Sequence, residues 1–201
     1  MDYEKEVMIQ ILPSVVDSIF NDWRISKIPE PYFEKGISDS LRLEKLKRYE
    51  KSLAEREKRI IEIKNDTSRI VIAIIDTIYA ESLLKSSERI KDNGIEYIFD
   101  SITKKIEYKI DLNNFKENEK FRFKYSSEFP KGRKIFRTKY PFYFGGAISF
   151  SRIVFDKDKK YGIMSAGIAY EALNGYGFRI YLKRGKNDKW IIDKIKGTWI
   201  S

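Results

Sequence analysis

The chain has 201 residues, enough for one domain of generous size, with 42% hydrophobic and 14% aromatic side chains to build a core. Its net charge of +10 is uneven: residues 1–100 carry 17 basic and 20 acidic side chains (−3), and residues 101–201 carry 23 and 10 (+13). It holds no Cys and no His, which excludes disulfides, thiolate catalysis, Cys- or His-ligated metals and Ser-His-Asp or Cys-His catalysis within the chain.

Taken from the N-terminus, Tyr3 to about Asn21 reads as a helix. Val7, Met8, Ile11, Leu12, Val15, Val16, Ile19 and Phe20 form one apolar stripe, and Pro13 should kink or break it. Ile28-Pro29-Glu30-Pro31 is an extended link. Ser38 or Asp39 then caps a second helix to about Lys64. On it Leu46, Tyr49, Leu53, Arg56, Ile60 and Ile63 follow a 3-4 spacing that suits packing on the sheet or on the first helix.

Ile70 to Ile75 has the β-branched density of a strand buried on both faces, and it is far too short to span a bilayer. A short helix is expected near Glu81–Arg89, a turn at Lys91-Asp92-Asn93-Gly94, and a helix over Ile95–Thr103 from the spacing of Ile95, Ile98, Phe99 and Ile102. Lys105–Leu112 and Lys120–Tyr125 alternate like strands, and Pro130–Phe144 reads as a long loop. From about Ala147 to Ser201 four strands follow one another through tight turns. Phe178, Ile180 and Leu182 alternate with Arg179, Tyr181 and Lys183, the period of a sheet with one dry and one wet face.

The expected fold is therefore α+β: N-terminal helices packed on a bent, mainly antiparallel sheet ending in a four-stranded β-meander over 147–201. One domain covers 1–201, helical over 1–68 and sheet-rich over 69–201. The acidic start, Met1-Asp2-Tyr3-Glu4, shows no export signal. Without a signal the compartment reads as cytoplasmic, and a trimmed signal would make it periplasmic.

The stretch Ser151 to Asp158, with Gly175-Tyr176-Gly177-Phe178, Lys189-Trp190-Ile191-Ile192 and Trp199-Ile200-Ser201, resembles the end of a family of uncharacterised bacterial envelope or lipoprotein-type domains. The N-terminal helix, with Leu12-Pro13 and Val16-Asp17-Ser18, is similar in style. The strand-turn-Lys-Trp ending is also similar in pattern to nuclear-transport-factor-like and cystatin-like folds. These resemblances imply an α+β fold and, for the envelope family, an exported protein. They assign no activity.

Several groups are candidates for chemistry. Residues 120–144 interleave aromatics with cations, and Arg122, Lys124, Arg133, Lys134 and Arg137 can form an anion-binding surface. In Phe121-Arg122-Phe123-Lys124-Tyr125, however, alternation puts aromatics and cations on opposite faces, whereas base stacking needs them on one. Asp76 and Glu171 end apolar runs, so either can be an acid/base, with Tyr170 as polar partner, if an apolar cavity encloses it. Arg152 can pair with Glu171. Trp190 and Trp199 on the last strand, with Tyr170, Tyr176 and Tyr181 on neighbouring segments and with Arg152 and Glu171, can line a ligand pocket inside a curved sheet.

Ser82-Leu83-Leu84-Lys85 and Ser101-Ile102-Thr103-Lys104 match a Ser-x-x-Lys pattern without its Lys-Thr-Gly companion, and Gly175-Tyr176-Gly177 reads as a turn. No cofactor or metal motif is present. The expected function is a non-enzymatic binding domain whose curved sheet takes a protein, a peptide or a small ligand. The alternatives are a small pocket enzyme with a carboxylate acid/base, and an anion- or nucleic-acid-binding module.

Overall fold

The computed structural model describes residues 2–79, 88–92, 95–99, 107–115 and 119–201. Its helices are α1 (Asp2–Ile19), α2 (Asp39–Asn65) and the one-turn α3 (Lys134–Arg137). Its strands are β1 (Ile70–Ile74), β2 (Thr77–Ile78), β3 (Glu88–Asp92), β4 (Ile95–Phe99), β5 (Tyr108–Lys109), β6 (Phe121–Tyr125), β7 (Phe144–Phe150), β8 (Val154–Phe155), β9 (Tyr161–Glu171), β10 (Asn174–Arg184) and β11 (Trp190–Ile200). Contacts divide the chain into two compact units, Met1–Phe20 with Arg69–Ser201, and Asn21–Ser68.

The larger unit is an α+β fold on a mixed sheet in the order β11-β10-β9-β7-β1-β6, with β8 added beside β9. The meander expected from the sequence is the run β7-β9-β10-β11, antiparallel throughout. It starts at Phe144 rather than Ala147. Buried Asp156 accepts from the amides of Lys160 and Tyr161 and closes the β8–β9 turn. The β9–β10 turn falls at Ala172-Leu173, one step before the expected Leu173-Asn174-Gly175.

β1 lies parallel to both β6 and β7 and is buried along its whole length, as its β-branched run requires. Its two faces feed two cores. Ile70, Ile72 and Ile74 join the stripe of α1, Ile148, Phe150, Met164, Ile168, Ile180 and Leu182. Val71 and Ala73 pack under Phe129 and Ile135, from the segment that crosses over β1 between β6 and β7. That crossover contains a short turn and α3, where the sequence suggested only a loop.

Of the kink or break expected at Pro13, the break does not occur: α1 runs through the proline as one helix. Five apolar side chains of the next two turns, Val15, Val16, Ile19 and Phe20 with Leu12 beside the proline, are buried in the sheet core. This packing outweighs the roughly 3 kcal/mol that an interior proline costs. Residues 95–99 are a second correction. They form β4, paired antiparallel with β3, not a helix. The expected short helix near Glu81–Arg89 is likewise a strand from Glu88, while 81–87 lie outside the described residues. So do the two Ser-x-x-Lys matches, in whole or in part, and the Asn93-Gly94 turn.

In the smaller unit Ser38 caps α2 by accepting from the Leu41 amide. Arg56, which breaks the apolar spacing of that helix, donates to the carbonyls of Ser26 at 2.7 Å and Ile25 at 2.8 Å. The cation thus ties the helix to the turn at Trp23–Ile25.

Candidate functional site

The two faces of the meander are unequal. The face toward α1 is filled by Ile148, Phe150, Ala166, Ile168, Ile180 and Leu182. The register of β7, β9 and β10 then puts Ala147, Ser149, Gly167, Ala169, Gly175 and Gly177 on the opposite face. These are small residues, so that face is recessed. The crossover segment 126–136 covers only its β1 side. Between this segment and β11 lies a cleft of about 620 Å³. Ala147, Ser149, Gly167 and Ala169 line its floor, Ile135, Phe136 and Trp199 are among its walls, and Lys131 and Arg133 stand among its lining residues from the crossover.

Trp199 is held by an absence of side chains. It stands opposite Gly177 across the β10–β11 ladder. A Cβ on Gly177 would collide with the indole nitrogen and its neighbouring ring carbons. Cβ atoms on Gly167 and Gly175 would each sit 3.3 Å from the far side of the same ring. The indole therefore lies across the backbone of two strands, yet the residue keeps 51% of its surface exposed. A large aromatic surface is thus pinned in place and left open, which costs apolar exposure but little conformational entropy on contact.

The sequence-derived residues are placed as follows. Trp190 is 5% exposed and belongs to the α1 side: its ring nitrogen donates to the Tyr3 hydroxyl at 3.1 Å, and its ring packs edge-on to Phe155. Tyr170 and Tyr176 pack on each other, and Tyr170 on Phe20, also on the α1 side. Tyr181 stands on the face opposite Ile180 and Leu182, and Glu171 is exposed at the β9–β10 turn. These aromatics do not converge on one pocket.

Arg152 does not pair with Glu171. Its guanidinium grips Glu4 of α1, 2.6 Å from Nη2 to Oε2, and the Ile153 amide donates to the same carboxylate at 3.0 Å. Glu4 is only 5% exposed. The nearby carboxylate hydrogen bonds hold the Arg152 guanidinium above its ordinary pKa. Burial, and then the charge of Glu4, push the Tyr108 phenol well above its usual 10.0. This cluster fastens helix to sheet and presents no reactive group. No local pattern announces it, because Glu4 and Ile153 are 149 residues apart along the chain.

Of the basic stretch, Arg133 lines the cleft, with Lys131 beside it. Lys134 and Arg137 are exposed on α3, and Arg122 is exposed on β6. Lys124 is bound to Glu128 at 2.8 Å. As alternation required, Phe121 and Phe123 face the α1 core while Arg122 faces outward.

Asp76 lies near the cleft without lining it. It accepts from Ser126 Oγ at 3.0 Å, Ser127 N at 3.0 Å and Ser127 Oγ at 2.7 Å, with Lys109 at 3.6 Å. Partial burial pushes its pKa up, but the Ser127 and Ser126 hydrogen bonds and the Lys109 charge together outweigh it and hold Asp76 below 3.8. Neither Asp76 nor Glu171 is among the residues that line the cleft, and Glu171 is exposed. No cluster of metal-ligating side chains occurs among the described residues, and no helix there is long and apolar enough to cross a membrane.

The floor of the cleft is not legible in the sequence, because Ala, Ser and Gly carry no hydrophobic pattern. The usable signals are Trp199 itself and the glycines Gly167, Gly175 and Gly177 in the strands beside it. Comparison with known proteins gives no parallel: no family model matches the chain, and neither a curated protein nor a solved structure matches it.

Proposed function

We propose that the protein is a non-enzymatic binding domain whose ligand seats in the Trp199 cleft, on the face of the meander turned away from α1. The observation that carries this reading is the pinned, half-exposed indole beside a recessed floor of small residues. A volume of about 620 Å³ lies in the usual range of ligand pockets, roughly 300–1,000 Å³. Its mixture of apolar lining and a few polar groups is also typical of them. Asp76 and Glu171 both lie outside the lining of this cleft, and Glu171 is exposed, which favours binding over catalysis by carboxylates.

The test uses anilinonaphthalene sulfonate, an apolar anion that fluoresces when it leaves water. The wild-type chain should enhance its emission and suffer quenching of Trp199. Ala169→Trp, which fills the cleft floor with a second indole, should weaken that binding about tenfold while the thermal midpoint stays within a few degrees. Equal uptake of the dye by a folded Ala169→Trp variant would remove the cleft as the binding site.

A further inference from the structure

We infer that the Trp199 cleft takes a nucleotide, its base stacked on the indole and its phosphate held by Lys131 and Arg133. This inference rests on the cleft being the ligand site, and it adds the ligand's chemistry. Three observations converge on it. First, the indole is laid flat on glycine backbone and half exposed, so it offers a fixed planar face. Every base has a π-face that such a platform accepts without regard to sequence. Second, two cations reach the same cleft from the crossover, both exposed, and the lining residues include no carboxylate. Third, the register continues the pattern beyond the cleft. Gly177 faces Trp199 and Arg179 faces Lys196, so Trp199 and exposed Lys196 share one face of β11.

Aromatic and cation are thus brought to one surface. That is the condition the Phe121–Tyr125 strand fails, since its aromatics point into the core and its cations out. The sheet supplies with small residues and one tryptophan what the basic-aromatic stretch lacks. The cleft, at about 620 Å³, has room for a nucleotide.

A free mononucleotide and one residue of a single-stranded nucleic acid present this same chemistry, and the probes separate them. Adenosine monophosphate and a uridine dodecamer are titrated against the full chain by tryptophan quenching and calorimetry, with adenosine and ribose phosphate as half-ligands. At least one of the two nucleotide probes should bind, and each half-ligand should bind more weakly than adenosine monophosphate. Binding of the mononucleotide as tightly as the dodecamer identifies a nucleotide pocket. Binding of the dodecamer alone, steeply weakened by salt, identifies a single-strand groove.

Trp199→Ala should cost about tenfold to a hundredfold, the range of one lost stacking contact, and Trp199→Phe should restore part of it. Lys131→Ala with Arg133→Ala should weaken binding and flatten its salt dependence while leaving adenosine unaffected. If the dye fills the cleft but neither nucleotide probe binds, the inference is overturned and the binding-domain reading stands. It is likewise overturned if a nucleotide binds and a folded Trp199→Ala variant binds it equally well. If the dye itself ignores Ala169→Trp, the reading beneath falls first.

Discussion

Glu4 shows how one side chain can decide the seating of a helix. It is buried on α1, accepts from Arg152 and from the Ile153 amide, and so joins the first turn of the chain to the β7–β8 connection. Removing one partner of a buried pair strands the other charge, so Glu4→Gln should lower unfolding free energy by about 3 kcal/mol, read from urea denaturation at neutral pH. Glu4→Leu combined with Arg152→Met should recover most of that loss; a double variant no better than Glu4→Gln would show that the pair does more than cancel its own burial. Asp76 makes a prediction in pH. Its folded pKa is depressed, so the stability it contributes is fully present above about 3.8 and lost as pH falls through the lower folded value. Asp76→Asn should therefore narrow the gap in urea midpoint between pH 7 and pH 3. An unchanged gap would mean that the Ser126 and Ser127 bonds carry no net weight.

Among the elements, legibility followed the range of the interactions. β10 was readable because Phe178, Ile180 and Leu182 alternate with polar residues, and alternation is a property of the strand alone. β1 was readable for its unbroken β-branched run, and α1 for its stripe. Ile95–Phe99 was not, since Ile95, Ile98 and Phe99 satisfy a helical spacing and only pairing with β3 decides between the two. A break at Pro13 does not occur, for the related reason that its local cost is met by tertiary packing. The cation in α2 looked like a fault in an apolar register and is a tether to two carbonyls. Of the candidate site, the cationic side was legible in composition: Arg133 lay in the basic stretch and lines the cleft. Trp199 was legible as an aromatic of the last strand, but its seat on three glycines and the floor of small residues were not, because they exist only where β7, β9, β10 and β11 lie side by side.

At the scale of the whole molecule, β11 ends the main sheet, and among the described residues no strand pairs with its outer edge. Eleven residues of strand with Ile191, Trp199 and Ile200 exposed would ordinarily invite edge-to-edge association. Two register shifts against β10 and the exposed cations Lys194 and Lys196 oppose it, since a second copy would bring lysine to lysine. Lys194→Val with Lys196→Val should therefore raise the light scattering of concentrated solutions at physiological salt; a double variant as monodisperse as wild type would show that the bulges alone suffice. Another consequence follows from where the first helix is held. The Gln10 side chain accepts from the Trp190 amide, 180 positions away along the chain. At synthesis rates of about 5–20 residues per second, the helix emerges from the ribosome roughly ten to forty seconds before the strand that completes its cover. For that interval the stripe lacks the part of its apolar cover that the last strands supply in the folded chain.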